Sequence, residues 1–398
     1  MNLRTIPIFL AFFLMGLADA MGPNSDKVKE AYTSLNEVTS TLLTFAVFIA
    51  FAVFSVPGGL LAARIGKKNL LLLGLGLNAA ALVIPSFIQP DFSVLLVCIF
   101  TLGIGTTFLQ VAGNPIMRDV SAEGRYSRNL AFAQGIKGIG STAATYLLSA
   151  ITLVPFFHHM GFRAGFPFFC GLMVLAFVAV AKLKVKETKA DVPPSIGSSL
   201  GLLREPVFFL AVVGIFLYVG AEASMGRFLK PALIQFGLAE ESANTWGPTL
   251  FFLMLTVGRL LGSAVLTIMS PRTCFRLSAL LGLLGAIAVM FGSKFAALTG
   301  VVAAGLGFAN IWPMLFSITV EEKPGRANEL SGLMCMAISG GAIVPLLMGQ
   351  LRNSLATQVG EKLVLSPWAE AFSFIVPAVC FAYLLLLSFR GGRKVAAA

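Results

Sequence analysis

Residues 108–141 read FLQVAGNPIMRDVSAEGRYSRNLAFAQGIKGIGS. The stretch holds the end of one apolar run, a short loop carrying Arg118, Arg125 and Arg128, and the start of the next apolar run. Gln110 and Asn114 are four apart and share one helix face. Gln134, Lys137 and Ser141 are three and four apart and share another. Two polar faces in oily sequence, joined by a basic loop, are expected to form two walls of one internal cavity held in a membrane.

Composition agrees with that expectation. The 398 residues are 57% hydrophobic and 12% charged, with mean hydropathy +0.88. Soluble chains are about 45–50% apolar and about 25% charged. With half the usual charge, this chain cannot cover a soluble surface of its size, so it is read as an integral membrane protein. The net charge of +11 lies in short gaps between apolar runs, which fits a topology signal and not nucleic-acid binding. The five cysteines all fall inside apolar runs and imply no disulfide framework.

A membrane-crossing helix needs roughly 20 mostly apolar residues. Twelve such spans are expected, at 5–24, 38–63, 69–88, 92–117, 128–153, 164–183, 205–230, 244–269, 273–292, 295–319, 328–350 and 368–389. The first, with Arg4 before it and Ala18-Asp19-Ala20 near its end, resembles a signal peptide. Its pattern recurs later in the chain, so it is read as a span.

Placing the N-terminus inside assigns Arg4, Arg64, Lys67, Lys68, Arg118, Arg125, Arg128, Lys182, Lys184, Lys186, Lys189, Arg204, Arg272, Arg276, Lys323, Arg326, Arg390, Arg393 and Lys394 to inner segments. Outer segments then receive only Lys27, Lys29, Arg163, Lys230, Lys294, Arg352 and Lys362. The asymmetry places both termini in the cytoplasm of a multi-pass protein of the cytoplasmic (inner) membrane.

The longest inner connection, 184–204, holds lysines, Pro193-Pro194 and several Gly and Ser. It reads as a linker between an N-terminal six-helix bundle, 1–183, and a C-terminal one, 205–398. The halves align at an offset near 200. Gly16-Leu-Ala-Asp19-Ala-Met-Gly22 matches Gly220-Ala-Glu222-Ala-Ser-Met-Gly226. Gly103-Ile-Gly105 followed by Asn114-Pro115 matches Gly305-Leu-Gly307 followed by Asn310 and Pro313. Gly124-Arg125 matches Gly325-Arg326. Matches in one order at one offset indicate a parallel duplication about an axis normal to the membrane. The second copy of the opening stretch, Phe308 to Gly341, keeps the glycines and has no equivalent of Lys137.

The chain resembles a known family. The loop Gly59-Leu-Leu-Ala-Ala-Arg64-Ile-Gly66-Lys67-Lys68 is similar to the signature of major facilitator transporters between spans two and three, with Ala63 near the place of its usual acid. Gln110-Val-Ala-Gly-Asn-Pro115, Gln134, Tyr218-Val-Gly-Ala-Glu222, Gly258-Arg259, Pro313-Met-Leu-Phe-Ser317 and Ser339-Gly-Gly-Ala-Ile-Val-Pro345 resemble the fucose–proton symporter branch of sugar porters. The resemblance implies twelve helices in two pseudo-symmetric bundles and cation-coupled transport of a sugar by alternating access. This chain departs from that branch at Gln110, where the symporter has a glutamate, and at Lys137, where it has a neutral amide. Asp19 also lies one turn before Pro23, the place of the symporter's aspartate.

Each candidate has alternatives. A charge at mid-bilayer costs roughly 2.5–3.5 kcal/mol on insertion scales, so Asp19 needs a partner or a task. It is read as a proton or sodium carrier, or as the permanent partner of Lys137. Lys137 is read as a ligand for an anionic substrate, a donor to sugar hydroxyls, or that counter-ion. Glu222 is a second coupling acid, a sugar ligand, or a partner of Arg227. Gln110, Asn114, Gln134 and Asn310 suit a hydroxyl-rich substrate, or serve as interhelical glue worth about a kcal/mol each. Tyr218, Trp312 and Phe308 are candidates to stack on a sugar, or simply packing.

Arg259 and Arg64 are candidate gates, Arg259 as an inter-helix lock. Pro115, Pro313 and Gly340 are expected flexing points. His158-His159 has no further ligands nearby, so no metal is expected. The expected chain is a monomeric carrier in the lipid bilayer, not an enzyme, with no cofactor or nucleic acid. An exporter of drugs or metabolites and an uncoupled facilitator remain the rival readings.

Overall fold

The computed structural model describes residues 5–21, 32, 37–158, 160–188, 194–359 and 362–390. Arg4, Pro23, Lys27, Lys29, His159, Lys189, Pro193, Arg393 and Lys394, which entered the sequence reading, lie outside the described residues.

The twelve expected spans correspond to helical segments. They are Ile6–Met21, Glu37–Ile65, Lys67–Phe87, Phe92–Val120, Tyr126–Thr152, Gly165–Ala181, Pro206–Gln235, Leu250–Val265, Pro271–Met290, Lys294–Ala309 continuing as Ile311–Glu322, Ala327–Met336 continuing as Gly340–Leu355, and Pro367–Ser373 continuing as Ile375–Ser388. Among the described residues, nine helices are long and apolar enough to cross a membrane, and Ile6–Asp19 and Gly165–Ala181 are shorter apolar helices. Exposed large apolar side chains such as Val174, Leu175, Leu284, Val379 and Leu386 lie on spans six, nine and twelve. Lipid contact requires such a surface.

Of the three expected flexing points, Pro313 and Gly340 stand at helix interruptions and Pro115 does not. A proline clashes with the carbonyl of the residue four before it and cannot donate to it. Pro313 therefore ends the Lys294–Ala309 helix, and the chain restarts at Ile311 after Asn310. Pro115 has the same effect on the carbonyl of Val111, yet the helix Phe92–Val120 continues unbroken. The Ser331 hydroxyl donates to that freed carbonyl at 2.7 Å. Span eleven is interrupted by a 3₁₀ turn at Ala337–Ser339, just before Gly340. The linker is not wholly irregular. Ser195 caps a short helix, Ile196–Gly201, through a reciprocal capping box with Ser198.

The chain divides into two compact units, Met1–Leu202 with Lys323–Met336, and Leu203–Glu322 with Ala337–Ala398. In the first, span one packs along span five, spans two and three along span four, and span six along span three. Ala327–Met336 lies on span two. In the second, span seven packs along Gly340–Leu355, span nine along Lys294–Ala309 and span twelve, and span eight along Lys294–Ala309.

One contact fixes the site in each unit. A side chain on Gly16 would overlap the Lys137 carbonyl, and one on Gly140 would overlap the Phe13 carbonyl. Spans one and five therefore cross backbone to backbone, as small residues permit in membranes. The second unit repeats the crossing. Gly340 lies against the Phe216 carbonyl, and Gly220 lies against Val344 and the Gly340 carbonyl. The internal repeat read from sequence is thus a repeat of packing.

Candidate functional site

In the first unit the glycine crossing sets the charged pair. Asp19 stands three residues after Gly16, and Lys137 three before Gly140. Close backbone approach brings their side chains together, and Lys137 Nζ lies 2.7 Å from Asp19 Oδ2. The structure brings the two side chains together as an ion pair. The side chains keep 12% and 31% of their exposure respectively. The pair is therefore partly accessible, and a solute or cation can compete for either member.

One turn away, the amides meet. Gln134 Nε2 donates to Asn114 Oδ1 at 3.1 Å, which joins the two polar faces of the opening stretch. The Tyr126 hydroxyl donates to the Asn114 carbonyl at 3.1 Å. Two polar atoms remain without a protein partner. They are Gln110 Oε1, an acceptor, and Asn114 Nδ2, a donor, on side chains 4% and 0% exposed. Leaving such a group unmade costs about 1–3 kcal/mol. An acceptor and a donor one helical turn apart match the two functions of a hydroxyl.

The second unit is built differently. Ala337 occupies the place, three before Gly340, that Lys137 occupies before Gly140. Glu222 therefore has no cation on span eleven. Its cation comes from span eight, where Arg259 Nη2 lies 3.9 Å from Glu222 Oε2 and 3.3 Å from the Tyr218 hydroxyl. Arg259 Nε also donates to the Ala309 carbonyl at 3.3 Å, the carbonyl that Pro313 sets free. Arg259 thus ties span eight to spans seven and ten. Arg227 is exposed, with its guanidinium over the Phe228 ring, and does not pair with Glu222.

Asn310 sits at the break of span ten. Its Nδ2 donates to the Gly258 carbonyl at 3.0 Å, and its Oδ1 has no partner. Trp312 is buried and stacked on Phe316, and its indole N–H also lacks a partner. Tyr218 and Phe308 touch, with centroids 5.8 Å apart. Phe308 is further enclosed by Phe251 and Phe381, so this pair is packed inside the bundle.

Of the candidate gates, Arg64 is exposed at the end of span two. The ties at that end run through residues the sequence did not single out. Lys67 Nζ lies 2.5 Å from Asp119, both nearly fully buried. Thr188 donates to the other Asp119 oxygen at 2.7 Å. The Glu187 carboxylate accepts from the backbone N–H groups of Lys67 and Lys68 and so caps span three. Glu329 pairs with Arg326 and accepts from Ser198 and Ser199 of the linker helix at 2.8 and 3.1 Å. The one sequence signal for this second cluster is an acid, Glu329, just inside a span.

The model of the Major Facilitator Superfamily matches residues 8–346. The glucose/galactose transporter of Brucella abortus biovar 1 (strain 9-941) is 28% identical over 410 residues, covering 98% of this chain and 93% of that protein. The L-fucose-proton symporter of Escherichia coli (strain K12) is 22% identical, covering 95% and 90%. The crystal structure of the major facilitator superfamily transporter FucP in the outward conformation is similar with a TM-score of 0.81 at 19% identity, covering 98% of this chain and all of that one, and shares the fold. The match of the family to most of the chain, on two repeated six-span halves, makes the protein a membrane transporter that belongs to the Major Facilitator Superfamily.

Proposed function

We propose that this protein transports a sugar across the cytoplasmic membrane by alternating access, driven by a proton or sodium gradient. The observation that carries the reading is the unpartnered acceptor–donor pair of Gln110 and Asn114 beside the Asp19–Lys137 ion pair. Neutral amides with unmade hydrogen bonds suit hydroxyls, and they suit greasy drugs poorly. The names of the similar glucose/galactose and L-fucose transporters support the same cargo.

In this reading Gln110, Asn114, Gln134 and Lys137 of the first unit, with Tyr218, Glu222, Asn310 and Trp312 of the second, bind the sugar. Asp19 and Glu222 carry the coupling cation. Arg259 locks span eight to its neighbours, and Arg64 acts at the inner end of span two. The protein works as a monomer with both termini in the cytoplasm, as the basic loops suggest. Residues 1–183 and 205–398 are the working halves, and 184–204 is their linker.

One observation favours a second reading. Asp19 already holds a resident cation, Lys137, and Gln110 cannot titrate. A carrier so equipped can run as an uncoupled facilitator. Uptake of labelled glucose, galactose and fucose into proteoliposomes, with and without imposed pH or sodium gradients, separates the readings. Accumulation above equilibrium only under a gradient supports coupling. Equilibration alone supports the facilitator. Outward movement of hydrophobic cations with no sugar uptake rejects both.

A further inference from the structure

The second unit holds a cavity of about 240 Å³ at the end of the spans that carries the basic loops. Four helix ends line it, from spans seven, nine, ten and twelve. Its walls are apolar, with Val207, Leu210, Phe275, Leu315 and Leu387 among them. Arg272, Glu322 and Arg390, which keep exposed surface, make its mouth polar. Arg272 makes one hydrogen bond to Glu322, at 3.0 Å, and a guanidinium has five N–H donors. Arg390 is exposed at the rim. One turn beyond Arg272, Arg276 is held over the Phe389 ring at 4.3 Å, which keeps a third cation at the same edge. Spans seven and nine also begin here, at Pro206 and Pro271, so the positive ends of two helix dipoles point toward the mouth.

Cations at the membrane surface over an apolar slot have one natural ligand class. Basic pockets between membrane helices on the cytoplasmic side bind anionic lipid headgroups. The volume is too small for a drug-sized molecule, since such sites run to about 300–1,000 Å³. It suits a phosphodiester and the first carbons of a chain. The remainder of the chain has an apolar path outward over Val207, which is 45% exposed, and Leu386, which is 71% exposed.

We propose that this cavity binds the headgroup of an anionic phospholipid, with Arg272 and Arg390 gripping the phosphate and the acyl chains leaving over span seven and span twelve. The site is separate from the amide cluster and from Arg259. It takes a lipid from the leaflet that faces the basic loops, the cytoplasmic one in the orientation proposed above.

The test is thermal unfolding of the purified full-length protein in a mild detergent, with added phosphatidylglycerol, phosphatidylcholine or inorganic phosphate. Phosphatidylglycerol is expected to raise the midpoint by about 4 °C at saturation, while phosphatidylcholine and phosphate leave it unmoved. The double variant Arg272→Gln/Arg390→Gln should lose that shift, and Arg125→Gln, on a basic loop of the first unit, should keep it. If the double variant does not fold, Arg390→Gln alone should lose at least half the shift and Arg390→Lys should retain it. Equal shifts with phosphatidylcholine, an equal shift with phosphate, an undiminished shift in the arginine variants, or loss of the shift in Arg125→Gln each overturn the proposal.

Discussion

The Ser331 hydroxyl lies 2.7 Å from the Val111 carbonyl, on a segment of span eleven that packs with the first unit. That carbonyl is unpaired within its own helix because Pro115, four residues on, has no N–H to give it. Arg259 and the Ala309 carbonyl freed by Pro313 are the counterpart in the second unit. Each proline in the repeated Asn–Pro region thus exposes a buried acceptor, and a donor from another span of the same unit meets it.

Ser331→Ala removes the donor and leaves a buried carbonyl unmade. It is expected to lower stability by about 1–3 kcal/mol, read as a fall in melting temperature in detergent. Pro115→Ala in the same background should restore most of the loss, since the helix then satisfies Val111 itself. No recovery would show that the serine acts through something other than this carbonyl.

Asp19 and Lys137 should behave as a unit. Asp19→Asn leaves the ammonium uncompensated, and Lys137→Gln does the same to the carboxylate. Each single change is expected to cost more stability than half the double change, because breaking a half-buried pair strands a charge. In transport, Asp19→Asn should abolish gradient-driven accumulation while preserving counterflow exchange. Accumulation like that of the unmutated protein would remove Asp19 from coupling.

Arg259 holds a carboxylate, a hydroxyl and a backbone carbonyl at once. A lysine ammonium is a point charge and cannot span that fork. Arg259→Lys is therefore expected to lose most transport, at least tenfold, and to resemble Arg259→Gln more closely than the unmutated protein. Initial rates of sugar uptake at matched protein levels measure this.

The crossing glycines should differ in tolerance. Gly16, Gly140 and Gly340 each face a backbone carbonyl, which cannot step aside, whereas the nearest obstacle to Gly220 is the Val344 side chain. Gly16→Ala, Gly140→Ala and Gly340→Ala should cost about 1–3 kcal/mol or more and reduce folded yield. Gly220→Ala should cost less, and the double change Gly220→Ala/Val344→Ala less again. Size-exclusion yield and melting temperature rank the series.

Much of this was legible in the sequence because membrane spans announce themselves by length and by their lack of charge. Helical spacing also put Gln110 with Asn114 and Gln134 with Lys137 on common faces. Spacing within a helix says nothing of which atoms meet across helices. That Lys137 meets Asp19 therefore rested on the crossing of spans one and five at Gly16 and Gly140. Both glycines were visible in the sequence, but their contact was not. The Lys67–Asp119 pair and the Glu329–Ser198 tie join residues 52 and 131 positions apart, and no periodicity links such partners. Pro313 signalled a break, but Pro115 signals one equally, and only a donor from elsewhere in the fold keeps its helix whole.

Lys137 answers Asp19 from span five, and Arg259 answers Glu222 from span eight, so each half closes its own charge balance by a different route. Each of these two pairs then sums to zero within its own half. Moving one elementary charge through the membrane potential is worth about 2.3 kcal/mol per 100 mV. With both pairs intact, the voltage finds no net charge on these groups to pull, and acts on the charge of whatever is being carried.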